Sequence, residues 1–521
     1  MSSTSPPAST VVHHEMQDWT ALVAPGLSPL GARRRNLVMV SEALTAAGVR
    51  HFAVRGLHDL ASAVGVDDVD RERALDALAG LAASPVAYVR QVVPHDVGQH
   101  RLMDGSDPAT WRRLADARVL RLAWFQTDAA GATVLGPDHG CDVEFWTRGD
   151  HGDLVGPRPN RVSLRLADAP LVPVDADAYS RLAPVPATSG SQVPTHPDMA
   201  VRLPEDVTFP IDLVYTWVDG TDPAWGRRRA ETLGEAYHAE SSSSARYLSR
   251  DELRYSLRSV DQYAPWVRKI FVVTDDQRPA WLVDHPRVEV VDHREVFERA
   301  SWLPTYNSHA IESQLHHIEG LSEHFLYLND DMFFGRPVVP NAFFHANGLS
   351  MHFPSMSRIP QGPITGLDTP VDAACKNNRA LLERDFGPVI VQSMQHVPYA
   401  LRRSVLEEMQ ERYPQAYEVT AASRFRSPSD HSFTSSFHQY YSFLTGRGTR
   451  GSVRYGYIQL AVPDLSARLQ RLLARRDWDT FCLNDAFSAD EELEAQTRRL
   501  REFFEAYYPA PAPWEAGADA S

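Results

Sequence analysis

At 521 residues the chain is long enough for two or three domains with sizeable cores. A formal net charge of −15 and a pI near 5.8 argue against a nucleic-acid binder, so an anionic ligand would need a local arginine cluster or a metal. Cys141, Cys375 and Cys482 are too widely spaced for a disulfide framework or a zinc site and suit a reducing compartment.

The N-terminus lacks the basic-then-apolar pattern of a leader, and no apolar run reaches the length of a membrane span. The expectation is a cytoplasmic protein without a span, with peripheral membrane association left open. Residues 1–20, rich in Ser, Thr and Pro, read as a disordered tail. Beyond them Leu37, Val40 and Leu44 share a helical face, residues 51–54 read as a strand, and residues 71–83 as a helix. Strand-like runs follow at 86–93, 119–125 and 141–146, giving a small α/β or α+β domain over 21–167 whose role is not legible. His95, His100 and His139 read as scattered surface histidines rather than ligands. Seven prolines with Ser-Gly-Ser among them make 168–205 a linker or an irregular wrapping segment.

From residue 206 the pattern changes to strands that end in acids. Residues 211–218 run into Asp219, 269–274 into Asp275-Asp276, 288–291 into Asp292, and 325–328 into Asn329-Asp330-Asp331. Helical spacing appears between them: Leu253, Leu257 and Val260 on one face over 251–263, then Ile311, Leu315 and Ile318 over 307–321 with Asn307 or Ser308 as N-cap. Strands alternating with helices predict a doubly wound, mostly parallel α/β sheet, whose ligands bind beyond the carboxyl ends of the strands. Adjacent carboxylates there repel, and a divalent cation with phosphate oxygens relieves that repulsion. Arg250, Arg254 and Arg258, at i, i+4 and i+8, are either a solvated row or a source of charge for a phosphate site. Helical patterns at 373–386, 401–413, 464–475 and 491–508 and a strand-like 455–462 complete a domain over 206–509. The Ala/Pro-rich 510–521 reads as a frayed tail.

Four segments carry a resemblance. IDLVYTWVDGTDPAW, then RDELRYSLRSVDQYAPWVRKIFVVTD with AIESQLHHIEGLSEHFLYLNDDMFFG, then QHVPYALRRSVLEEM with SRFRSPSD, and finally FCLNDAF resemble, in order, the four regions of the Stealth family. The family comprises sugar-phosphate transferases of microbial polysaccharides, related to the lysosomal-enzyme N-acetylglucosamine phosphotransferase. The resemblance covers roughly residues 211–490. It implies a glycosyltransferase-A-like, Rossmann-like fold and transfer of a hexose 1-phosphate from a nucleotide-diphosphate sugar, a UDP-sugar by preference, to a glycan or polysaccharide hydroxyl, with UMP leaving. Asp275-Asp276 departs from the Asn-Gly pair of some relatives and carries no catalytic expectation.

Attack of an alcohol on phosphorus needs a base, positive charge on the phosphoryl oxygens and fixed in-line geometry. His396, in the His-Val-Pro motif, is the expected base, since imidazole accepts a proton at neutral pH. Arg426 and Arg424 are the expected phosphate clamp, and Asp430 either orients one of these groups or forms a local ion pair. Asp330 is the first candidate ligand for Mg²⁺ or Mn²⁺, followed by Asp331, Asn484 and Asp485. Tyr215, Thr216, Trp217 and Asp219 are expected to cradle the nucleotide, with Trp217 a stacking surface or a core residue. Arg254, Arg258, Asn307, His309, Glu312 and Lys376 complete the substrate-binding candidates. The alternatives are a metal-dependent glycosyltransferase releasing nucleoside diphosphate, and a sugar-binding relative without activity.

Overall fold

Five strands frame the site: β1 (Ile211–Thr216), β2 (Ile270–Thr274), β3 (Val288–Asp292), β4 (His324–Asn329) and β5 (Tyr399–Arg402). They belong to a mixed α/β chain, seen in a computed structural model that describes residues 8–14, 16–24, 26–93, 101–234, 249–485 and 493–517. His95 and His100 lie outside the described residues. The sheet runs in the order β3-β2-β1-β4-β5, with the first four strands parallel and β5 antiparallel to β4. β2 and nearly all of β1 and β4 are buried, as expected of strands covered on both faces. Strand order reverses between β1 and β4, where Thr216 pairs with Asn329 at the carboxyl ends. That is where an open α/β sheet leaves a crevice.

Helix Glu252–Tyr263 packs Leu253, Leu257 and Val260 into the core. The helix expected over 307–321 is shorter: Ser308–Glu312 is α-helical, Leu315–His317 forms a 3₁₀ turn, and Asn307 is the N-cap, accepting from the His309 amide. A second, three-stranded sheet pairs Met332–Phe334 with Thr480–Asn484, and the latter with Tyr455–Gln459. Helix Leu493–Tyr507 closes over it with Phe503, Phe504 and Tyr507 packed edge-on or tilted against Phe333 and Phe481.

The expected frayed tail is instead built in as far as residue 517. Trp514 is fully buried, and the Glu515 carboxylate accepts from Arg254 Nε at 2.6 Å and Arg258 Nε at 2.7 Å. Arg258 is buried and Arg254 half-buried, and this one carboxylate, itself buried, answers both.

The chain divides into two compact units, 1–206 and 207–520. In the first, helices Pro29–Ala46 and Arg71–Ala83 cover a mixed sheet, with Leu37, Val40, Leu44, Val64, Leu78 and Trp146 in its core. Two expectations are corrected here. The disordered tail expected over 1–20 is ordered in its described part from residue 9: strands Ser9–His14 and Gln17–Val23 pair antiparallel, and Trp19 stacks on Phe125 at 5.0 Å. Nor is 168–205 a free linker. Val172–Asp175 and Gln192–Thr195 extend the sheet, with Pro173 on the edge strand opposite Pro194 on the next strand in. His139 is buried rather than at the surface, and that burial pulls its imidazole down to about 4. Among the described residues no helix is long and apolar enough to cross a membrane.

Candidate functional site

A cavity of about 680 Å³ opens beyond the ends of β1 and β4. β1 delivers Thr216 and Trp217, and β4 delivers Asn329, Asp330 and Asp331. Because side chains alternate along a strand, Tyr215 points the other way. It is fully buried with its hydroxyl on Ser256 Oγ at 2.8 Å, so the expected contact with a nucleotide is corrected to a core role. Thr216 Oγ1 instead meets the Tyr327 hydroxyl at 2.9 Å. Tyr327 also lies 3.3 Å from Glu312 Oε1, whose other oxygen accepts from Thr434 at 2.8 Å on a π-helical turn, Phe433–Phe437.

Continuing the antiparallel register beyond Tyr327 and Tyr399 brings the residues after β4 opposite those before β5. That pairing sets His396 against Asp331, with Nε2 3.5 Å from Oδ1. The distance suits an ion pair rather than an aligned hydrogen bond, and neither atom has another hydrogen-bond partner. On its other side Asp331 Oδ2 accepts from Cys482 Sγ and Asn484 Nδ2, each at 3.3 Å, because Met332 pairs with Cys482 in the small sheet. Burial alone would raise the Asp331 carboxyl. The His396 imidazole and these hydrogen bonds outweigh it and hold Asp331 below the usual carboxylate range.

Asp330 has the opposite fate. Burial, then the carboxylates of Glu252 and Asp331, push it well above that range. Burial also raises Glu252, against the pull of Arg250. Arg250 and Glu252 flank Asp251, whose backbone is left-handed at φ 65°, a conformation that a short polar side chain tolerates. Both flanking side chains line the cavity, where Arg250 pairs with Asp485 at 2.5 Å. Of the metal candidates, Asp330, Asp331, Asn484 and Asp485 all line this cavity.

Arg426 lines it too, with Nη2 on Ser308 Oγ at 2.9 Å, as do His309 and Glu312. Seven other candidates do not. Arg424 is exposed, its guanidinium 3.5 Å from the Leu303 carbonyl. Asp219 bonds its own turn through Thr221. Lys376 is tied to Asp368 at 2.8 Å, and Arg254 and Arg258 to Glu515. Asn307 caps its helix and donates to Asp430 at 2.8 Å. Asp430, expected to orient a catalytic group or form an ion pair, is buried below the cavity wall. It accepts from the Ser427 amide at 2.9 Å and faces His309 Nδ1 at 3.4 Å, which fixes the loop that carries Arg426.

Sequence reasoning missed Glu252, Tyr327, Tyr399 and Cys482. Arg250 had been noticed only as part of an arginine row. A signal existed for Glu252 and Arg250, since both adjoin the start of a strongly patterned helix. None existed for Cys482, because its contact with Asp331 spans 151 positions.

Family models for Stealth protein conserved regions match in chain order: region 1 at 209–237, region 2 at 246–352, region 3 at 395–443 and region 4 at 470–521. Exopolysaccharide phosphotransferase SCO6021 of Streptomyces coelicolor is 52% identical over 498 residues, covering 95% of this chain and 92% of that protein. SCO2594 of the same organism is 45% identical, over 96% of this chain and 86% of that protein. Exopolysaccharide phosphotransferase CpsY of Mycobacterium tuberculosis is 36% identical, over 94% of this chain and 90% of that protein.

Proposed function

The chain belongs to the Stealth family of sugar-phosphate transferases, and from that premise we propose that it moves a hexose 1-phosphate from a UDP-sugar to a glycan hydroxyl, forming a phosphodiester in exopolysaccharide synthesis. The observation that carries this reading is the pairing of His396 with Asp331 in one cavity with Arg426.

With Nε2 facing the Asp331 carboxylate, His396 carries its proton there and keeps the Nδ1 lone pair for the acceptor. The acceptor oxygen attacks the β-phosphorus, its proton passes to Nδ1, and the bond from phosphorus to the bridging oxygen of UMP breaks. Asp331 stabilises the imidazolium so formed, just as its lowered proton affinity allows. Arg426 pairs with non-bridging oxygens as charge builds on them, and Ser308 steadies its fork. The sugar–oxygen bond is untouched, so anomeric configuration is retained.

Asp330, crowded by Glu252 and Asp331 and pushed up by burial, suits a divalent cation. It would hold Mg²⁺ or Mn²⁺ together with the cavity-lining oxygens of Asn484 and Asp485. When bound, such an ion supplies charge to the diphosphate. A glycosyltransferase-A-like site in the β1–β4 crevice agrees with the strand order β3-β2-β1-β4.

The experiment is to incubate the chain with UDP-sugars and a glycan acceptor and identify the spent nucleotide by chromatography. Acceptor-dependent UMP with a phosphodiester product is the expected result. UDP without UMP overturns the reading in favour of a glycosyltransferase.

A further inference from the structure

Cys482 takes no part in the transfer above, yet its thiol lies against the pair that does. Sγ is 3.3 Å from Asp331 Oδ2, and His396 Nε2 is 3.5 Å from Asp331 Oδ1. One ligand atom from each of the three residues can be taken so that all lie within 4.8 Å of one another. Among the described residues this is the one cluster of His, Cys and acidic groups so arranged. Two of its atoms, Asp331 Oδ1 and His396 Nε2, are shut off from solvent with no hydrogen-bond partner. Buried polar atoms left in that condition cost stability unless something else answers them.

The donor set says what would. Mg²⁺ takes oxygen and dehydrates reluctantly, whereas one sulfur, one imidazole nitrogen and one carboxylate oxygen form a borderline-soft set. A tetrahedral ion with bonds of about 2.0–2.3 Å holds such atoms roughly 3.3–3.6 Å apart. The observed separations start at that spacing, and the larger ones close by about an ångström through side-chain rotation. All three residues sit on anchored backbone: Cys482 inside a strand, Asp331 at a strand junction, and His396 between two strands. The sequence alone had argued against a zinc site, since the cysteines are far apart. It did not anticipate that one of them meets a histidine and an aspartate.

We propose that Asp331, His396 and Cys482 form a three-ligand site for a thiophilic divalent cation of the Zn²⁺ class, and that filling it switches transfer off. On binding, the Cys482 thiol gives its proton to solvent and its sulfur to the ion. His396 gives the Nε2 lone pair, and its one remaining ring proton then sits on Nδ1. That is the nitrogen which must be vacant to accept a proton from the acceptor, so the base is blocked while Asp331 is neutralised. The switching rests on the proposed role of His396, whereas the binding does not.

The test uses the full chain, stripped with a chelator and kept reduced with a phosphine. Titration with Co²⁺ should give one equivalent of a tetrahedral visible spectrum and a near-ultraviolet thiolate-to-cobalt charge-transfer band, both displaced by Zn²⁺. Cys482→Ser, which keeps Cys141 and Cys375, should lose the charge-transfer band. A ligand loss should weaken binding by at least the roughly 100-fold that outer-shell changes reach. His396→Gln should weaken it similarly while keeping the band, which guards against misfolding of the serine variant. One equivalent of Zn²⁺ over excess Mg²⁺ should abolish UMP formation, and chelation should restore it. No thiolate band in the wild type, or a band that survives Cys482→Ser, overturns the site. Zn²⁺ bound as described with transfer undiminished overturns the switch. Normal Co²⁺ binding by a chain that makes no UMP from any donor overturns the phosphotransferase reading and leaves the site standing.

Discussion

In the N-terminal unit, Arg121 and Arg158 meet Asp142 and Glu144 in the core; in the C-terminal unit, six carboxylates line a cavity with two guanidiniums, Arg250 and Arg426. The first cluster closes on itself. Asp142 accepts from Arg121 at 2.6 and 3.0 Å and from Arg158 at 2.6 Å, and Glu144 takes Arg158 at 2.7 Å. Charge is balanced and every carboxylate has a fork against it, so the cluster needs no ligand. The cavity cluster is left open. Asp330 is forced towards its neutral form, and His396 and Asp331 face each other across atoms that nothing else reaches. Both are buried polar networks, but only the unbalanced one has work left for a bound phosphate or metal. Buried charge alone is therefore a poor marker of function; the residual imbalance is a better one.

The largest expected effect comes from Asp330→Asn. It removes a carboxylate that the fold does not neutralise, so transfer should fall on the order of 10³-fold or more. In chelator at neutral pH the same variant should melt at a higher temperature than the wild type. The sign follows from Asp330 having a folded pKa above its unfolded one. Ionisation then costs stability at all pH values above the folded pKa, and that cost vanishes below the unfolded value of about 3.9. The advantage of the variant should shrink as pH falls through that window. A melting temperature below wild type at neutral pH would contradict the comparison.

His396→Ala should cost on the order of 10²–10⁴-fold in kcat with donor binding largely kept. Pre-steady-state rates and donor titrations read the two apart, and a merely structural histidine would weaken both.

In the closed cluster, Asp142→Asn should leave transfer chemistry untouched but destabilise by about 3–5 kcal/mol, because buried Arg121 loses its carboxylate partner and Arg158 keeps only Glu144. Asp142 is held below the usual carboxylate range: burial opposes this, and Arg121 and then Arg158 prevail. Its contribution is thus present above about pH 3.9 and lost as pH falls through the folded value. Denaturant titrations of the two proteins should converge at acid pH and diverge at neutral pH.

How much of this could be read from the residues differs from place to place. Strands that end in acids were legible at 216, 274 and 329, because burial on both faces writes a largely apolar run into the sequence, and the half-buried edge strand ending at 292 follows the same alternation. His396, Arg426 and Asp330 emerged through motif resemblance, and the cavity does gather them. Partnership was not legible. Arg254 and Arg258 have the spacing of a phosphate clamp, and nothing local reveals that Glu515 has taken them. Tyr215 and Thr216 are neighbours in sequence, but the pleat sends one into the core and the other to the cavity rim. Prolines at 173 and 194 suggest a linker, although the two face each other across the outermost strand pair of a sheet.

The Glu515 contact has a consequence for the order of events during synthesis. Arg258 lies on a helix that covers the central sheet, yet its counter-charge comes 257 residues later in the chain. Until that segment leaves the ribosome, two guanidiniums press against a nascent core without an answer. The helix therefore reaches its final packing only through a contact of long sequence separation, the kind that closes late because its loop-closure entropy is large.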